Sequence, residues 1–257
     1  MPATHDPTRR VPPRGLAVRA VALLEVEPEL ARHLQPSDVD QARRAVKVPL
    51  VTLPRGPFDA GALRVGTNPF GAIIVTGLVA HEISVLAQPA LQLLGPGDFV
   101  HDGVAAGYVI ARDHVWSAAQ PTTLAVLDDH LLDAISRWPL LARALLERAA
   151  ENQESTLLQL AIAQHPRVAD RLVALFRMLA EKWGRMTGAG ITIPMALTHE
   201  ALGRLIGARR PTITLALKSL AAEDRLTRQK DGTWLVRDLG DATHDADRPL
   251  PVSEAAA

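Results

Sequence analysis

LTHEALGRLIGARRPTITLALKSLAAEDRLTRQKDGTWLV, residues 197–236, is the stretch from which the rest of the chain is read. Thr198 is a good helix N-cap, because its hydroxyl can accept from an orphan amide of the first turn. Leu202, Leu205 and Ile206 then make an inward face, and Gly207 stands where a tight turn needs a residue tolerant of positive φ. A second helix opens at Arg209-Arg210-Pro211-Thr212, with Pro211 in the first turn, where its missing N–H costs nothing. Ile213, Leu217 and Leu220, at i, i+4 and i+7, form the buried stripe of that helix. With the stripe inward, Arg210, Pro211, Thr214 and Lys218 point outward and Leu215 lies near the edge. The tail LTRQKDGTWLV reads strand, Asp-Gly turn, strand, a hairpin wing carrying Arg228 and Lys230.

These residue types at this spacing suit a reader of the DNA major groove. Arg pairs bidentately with guanine O6 and N7, so Arg210 is the first candidate for base contact, with Thr214, Pro211 and Leu215 beside it. Thr198, Arg209, Thr212 and Lys218 are placed to hold phosphates, which fix register and give salt-dependent affinity. Residues 198–237 hold eight Lys/Arg against four acids, whereas the whole chain balances 28 against 28. The positive charge therefore sits where the motif is, and indiscriminate polyanion binding is not expected. A helical hairpin used for packing or for protein contact, as in a ligand-binding or protein-interaction module whose winged helix contacts protein, has the same bare pattern. The basic entry of the second helix, the wing and the local charge favour DNA.

The remainder must explain what controls this reader. At 257 residues, 47% hydrophobic and 22% charged, the chain can bury a real core. It contains no cysteine, which excludes a disulfide scaffold, thiolate zinc sites and a cysteine-ligated iron–sulfur cluster. The opening MPATHDPTRRVPPRG lacks the apolar core of a signal peptide, and no run reaches the ~18 apolar residues of a membrane span. A soluble, cytoplasmic protein without a membrane partner is the expectation. Residues 1–15 and 238–257 read as disordered tails.

Between the tails the patterning changes twice. From 45 to 127, short apolar runs (46–53, 70–76, 79–86, 90–94, 115–118, 123–127) alternate with Gly and Pro breaks, which suggests a sandwich, jelly roll or barrel. A helical lead-in around 28–34 precedes them. From 128 the pattern is helical: Asp128-Asp129 starts one run and Pro139 a longer one. In the longer run Leu146, Ala149, Gln153, Thr156 and Leu160 fall at heptad spacing, as in a coiled-coil seam or an amphipathic helix packed on its own domain. Pro166 opens another helix with Val168, Leu172, Leu175, Leu179 and Trp183 on one face, and Gly188 and Gly190 mark a break before the reader.

VADRLVALFRMLAEKWGRM followed by ITIPMALTHEALGRLIGARRPTITLALKSLAAEDRLTR resembles the hinge helix and winged helix-turn-helix of the Crp/Fnr transcription regulators. Leu197-Thr198, Leu202, Gly207, Arg210, Thr212, Leu217 and Leu220 match that family's reading signature, and LLGPGDFV (93–100) is similar to its sensor turn. TTLAVLDD (123–129 and the residue before) resembles the strand leading into the dimer helix. The resemblance covers about residues 20–237. It implies an α+β fold: an N-terminal double-stranded β-helix (a jelly-roll-like β-roll) related to cyclic-nucleotide-binding domains, a long dimerisation helix, and the C-terminal winged helix-turn-helix. The implied bounds are 16–137 for the sensor, 138–164 for the dimerisation helix and 165–237 for the reader with its hinge helix. Implied partners are double-stranded DNA and a second copy of the chain as a homodimer on an inverted repeat. RNA polymerase and an unidentified small effector are the further partners it leaves open.

The departures concern input and specificity. Relatives that bind cyclic AMP carry Gly-Glu after the sensor turn and Arg-Ser or Arg-Thr about ten residues on; here those positions read His101-Asp102 and Arg112-Asp113. The resemblance thus implies an effector pocket around Gly97, Asp98, His101, Asp102, Arg112 and Asp113 in which cyclic-nucleotide binding is lost or altered. Pro211 and Leu215 stand where better-known relatives use an acid and a second Arg, so the operator should differ, with Leu215 meeting a thymine methyl or packing. The nine histidines, among them His81, His101 and His114, show no recognised metal spacing, and most of them read as turn or surface residues. Gly95-Pro96-Gly97-Asp98 lacks the Gly-Lys-Ser/Thr of a phosphate loop, and no serine sits in a nucleophile elbow. No metal, cofactor or catalytic constellation is expected: the chain reads as a regulator and not an enzyme.

Overall fold

The structure, a computed structural model, describes residues 18–60, 63, 65, 68–101 and 112–237. The expected tails and Asp102 lie outside the described residues. The chain divides into two compact units, one ending at Leu158 and the other beginning at Gln159.

The first unit runs β1 (Val18–Ala22), α1 (Leu23–Val26), a 3-10 turn (Pro28–Ala31), α2 (Pro36–Ala45), β2 (Lys47–Leu53), β3 (Gly56–Phe58), β4 (Gly71–Thr76) and β5 (Val79–Val85). It continues through β6 (Gln88–Leu94), β7 (Phe99–Val100), β8 (Arg112–Ala118), β9 (Thr122–Leu127), α3 (Asp129–Arg137) and α4 (Pro139–Gln164), within which the division falls. Its strands form two antiparallel sheets, β1-β2-β9-β4-β7 and β3-β8-β5-β6. This is the β-roll expected.

Both faces of the first sheet are covered, which is why β9 reads as a nearly unbroken apolar run. Successive side chains alternate across it. Leu124 and Val126 join Val51, Ile74, Val79, Val100 and Trp116 in one core. Ala125 and Leu127 join Leu23, Val46, Val48, Leu131, Trp138 and Leu141 in the other, under the helices. α3 begins where expected: the Asp128 carboxylate, fully buried, accepts from the His130 N–H at 3.1 Å. The helical lead-in is longer than expected, because α2 follows the 3-10 turn. Only Ala42 of α2 is buried, so it has no apolar stripe to betray it.

α4 has two working faces. Leu141 and Ala144 enter the helix-side core, and farther along Thr156 accepts from Gln92 Nε2 at 2.7 Å. The residues at heptad spacing lie on the other face. Leu146 is 71% exposed, Leu160 56% and the neighbouring Leu157 64%, while Ala149 and Gln153 are exposed as well. Thr156 lies between the two faces.

The second unit packs α5 (Val168–Trp183), β10 (Arg185–Thr187), β11 (Gly190–Ile193), α6 (His199–Ile206), α7 (Arg210–Ala222), β12 (Leu226–Arg228) and β13 (Trp234–Val236). The strands form one antiparallel sheet, β10-β11-β13-β12. Gly188 and Gly190, read from the sequence as a mere break, belong to the β10–β11 hairpin, in which Thr187 pairs with Gly190. Leu172, Leu175, Phe176 and Leu179 are buried along α5, and the Phe176 ring meets that of Trp234 at 5.0 Å. Because this contact joins helix to wing, Phe176→Ala should destabilise the second unit by about 3–5 kcal/mol. Denaturant unfolding followed by tryptophan fluorescence would measure it; a loss within error of zero would mean the ring is not an anchor.

Candidate nucleic-acid interface

Each terminus of α6 is satisfied locally. Thr198 Oγ1 accepts from the Ala201 N–H at 3.1 Å. Gly207 closes the helix in the left-handed region, with φ 64° and ψ 41°, and the Ala208 N–H reaches back to Gly203 O at 2.9 Å. Sequence reading missed a further support of this turn. Arg171, on α5, donates through Nη1 to the carbonyls of Ile206 (3.1 Å) and Gly207 (3.3 Å). A cation at a helix C-terminus satisfies orphan carbonyls and complements the helix dipole.

The turn hands the chain to α7, whose Ile213, Leu217 and Leu220 are buried as the stripe requires. Arg209, Arg210, Pro211, Thr212 and Lys218 are exposed, and Leu215 is more open than the edge position expected, at 71%. Thr214 departs from the outward position expected of it. It is half-buried, its hydroxyl donates to Arg210 O at 3.0 Å, and its oxygen meets His199 Nδ1 at 2.9 Å. The back-bond to the carbonyl four residues earlier turns this side chain along the helix. Leu215 therefore presents the larger outward surface.

The wing forms around the Asp-Gly turn as its sequence suggests, with Arg228 opposite Trp234. Asp231 accepts from both the N–H (2.9 Å) and the hydroxyl (2.7 Å) of Thr233, and these bonds hold its carboxyl below the ordinary carboxylate range. Arg228 and Lys230 are exposed beside it. Thr198 is exposed too, so the structure gathers the sequence-predicted residues of α6, α7 and the wing on open surface of one unit.

In the first unit the sensor turn serves the fold. The guanidinium of Arg148 lies over Gly97, so a Cβ there would come within 3.1 Å of it, and φ at Gly97 is 85°. Asp98, 3% exposed, accepts from Gly95 N–H at 2.8 Å. The Asn152 amide donates to Asp98 Oδ1 and accepts from the Phe99 N–H, each at 2.8 Å. Gly97 and Asp98 are thus turned toward α4, while His101 and Asp113 are exposed and Arg112 pairs with Val85 in the sheet. His81 is an exception to the reading of most histidines as turn or surface residues. It is mid-strand and partly buried, stacked on Trp116 at 3.8 Å, with Nε2 3.0 Å from His114 Nδ1. Burial, then the neighbouring His114 and His101, push it down to about 4. Among the described residues no group of three His, Asp or Glu could hold a metal ion, and no helix is long and apolar enough to cross a membrane.

Residues 166–240 match the family model described as the Crp-like helix-turn-helix domain. A protein named as an HTH-type transcriptional regulator, ycf28 of Porphyra purpurea, is 32% identical over 69 residues, 27% of this chain and 29% of that protein. The chain therefore aligns with less than a third of that relative's length. A cyclic nucleotide-binding domain containing protein from Listeria monocytogenes EGD-e shares the fold at a TM-score of 0.62 and 18% identity, over 83% of this chain and 98% of that one. A CooA mutant from Carboxydothermus hydrogenoformans does so at 0.58 and 15%, over 74% and 84%.

Arg171→Ala should leave the α6 C-terminal carbonyls without their charged donor and cost about 1–2 kcal/mol. Hydrogen exchange should quicken at the 203–213 amides; unchanged exchange there would remove Arg171 from the support of the turn.

Proposed function

We propose that this chain, whose carboxy-terminal unit is a Crp-like helix-turn-helix domain in a chain with the fold of Crp/Fnr regulators, is a sequence-specific DNA-binding transcription regulator. The observation that carries the reading is the face of α7: a buried apolar stripe behind an exposed row of Arg209, Arg210, Pro211, Thr212, Leu215 and Lys218. Arg210 reads base edges, with Pro211 and Leu215 beside it offering apolar contact, a pairing that suits guanine next to a thymine methyl. Thr198, Arg209, Thr212, Lys218, Arg228 and Lys230 hold the phosphates. Thr214 contributes by shaping the start of α7.

The regulator acts as a homodimer paired through the exposed leucines of α4 on an inverted-repeat operator. Its two recognition helices then enter successive major grooves about 34 Å apart. Its input is a small effector of another class than cyclic nucleotides: His101-Asp102 and Arg112-Asp113 replace the residues that hold a ribose and a phosphate in cyclic-AMP-binding relatives, and Asp113 puts an acid where an anion would sit. RNA polymerase is the downstream partner where binding activates transcription.

An in vitro binding-site selection tests the reading. Arg210→Ala should flatten preference at its base by about 1–3 kcal/mol. Lys218→Ala should weaken all sequences alike and lower the salt slope by about one. Preference unchanged by Arg210→Ala would place the reading face elsewhere, and binding without steep salt dependence would favour a protein-contact role for the winged helix. Separately, Leu146→Glu with Leu157→Glu should convert the dimer to monomer in sedimentation and lower operator affinity. A dimer that survives both charges pairs through another face.

A further inference from the structure

His199 has no role in the assignments above. It is the first residue of α6, directly after the Thr198 cap, and it is partly buried. A Thr214 hydroxyl that donates to Arg210 O (3.0 Å) leaves its oxygen to accept from His199 Nδ1–H (2.9 Å). The neutral ring thus carries its hydrogen on Nδ1, and Nε2 is the nitrogen that can gain a proton. The imidazole thereby ties the first turn of α6 to the second turn of α7, on the surface that carries the reading residues. Two cations act on it electrostatically: Arg228 from β12 and Arg210 from α7. The acid next to it on its own helix, Glu200, is held by Arg204 at 2.7 Å.

We infer that His199 is a proton-linked contact of the DNA interface: the ring is neutral in the free protein and gains a proton when the duplex docks, so acidification tightens binding. The inference rests on the DNA-reading assignment of α7 and deepens it with a means of regulation. In the free protein burial first, then Arg228 and Arg210, hold His199 below its ordinary value. Phosphates docked on these arginines reverse the sign of the local potential and favour the imidazolium. A group whose pKa is higher in the complex than in the free protein adds affinity fully below the free value and loses it as pH rises through the bound value. Affinity should therefore climb on going from pH 8 to pH 6, by up to about tenfold for each unit between the two values.

The test uses the full chain and the operator duplex recovered by selection, with anisotropy titrations at constant ionic strength. Wild type should tighten about threefold or more between pH 8 and pH 6. His199→Asn keeps a donor for Thr214 but cannot titrate, and should abolish that slope; His199→Arg, permanently charged, should abolish it too. Calorimetry at pH 7 in buffers of different ionisation enthalpy should register proton uptake by wild type and none by either variant. A wild-type affinity flat with pH, or a slope that survives both substitutions, overturns the inference while leaving DNA reading intact. Absence of wild-type binding to any duplex overturns both together.

Discussion

Burial of Ile213, Leu217 and Leu220 is the constraint from which the reading surface follows. Each such side chain contributes about 1.5–3 kcal/mol when taken out of water, so the three together outweigh Leu215 by roughly three to one. α7 therefore settles with Leu215 outside, although that leaves a large apolar side chain 71% exposed. Rotation by about half a turn would bury Leu215 and expose the stripe. Arg210, Pro211 and Lys218 face outward because no other phase of this helix closes the core. The side chains proposed to select a partner are thus set by side chains buried beneath them.

The same logic separates what could be read in the sequence from what could not. The helix-turn-helix is written in signals a few residues apart: the Thr198 cap, the Gly207 turn, Pro211 in the first turn and a stripe at i, i+4 and i+7. The strands of the roll were legible for a similar reason, since Gly and Pro punctuate them at short intervals. α2 escaped notice because it buries one alanine, and the β10–β11 hairpin because its strands are short and β10 is exposed throughout. Contacts between distant positions were out of reach. Arg171 reaches the turn across 35 residues, His199 meets Thr214 across 15, and His81 lies against Trp116 only once the β5–β8 register is known. Positions defined by local spacing were therefore legible, while contacts defined by tertiary pairing were not.

Thr214 and Gly97 illustrate how a position can match a functional pattern and still be occupied by structure. Thr214 lies one residue from the exposed Leu215, yet its hydroxyl is engaged by Arg210 O and His199. Gly97 lies in the turn that a resemblance assigns to a ligand, yet its missing Cβ makes room for Arg148. The carboxylate of Glu27 is drawn into the same cluster, 4.0 Å from Arg148 and pushed up by burial. A guanidinium held among Glu27, Glu151 and the turn is a fixed element of the first unit.

That cluster gives α4 its mechanical meaning. Arg148, Asn152 and Thr156, spaced four apart, meet the sensor turn and β6 along one line of the helix. Leu146, Ala149, Gln153 and Leu157 run along a second line about a quarter-turn away, open to solvent. A helix does not shear within two turns, since each residue is bonded to the next turn, so the two lines cannot move independently. Displacement of Asp98 must draw Asn152 with it, or leave a buried carboxylate short of a donor at a cost of about 1–3 kcal/mol. Any rearrangement of the 95–98 turn would thereby be carried along α4 to the leucine face proposed for pairing, with no hinge between them.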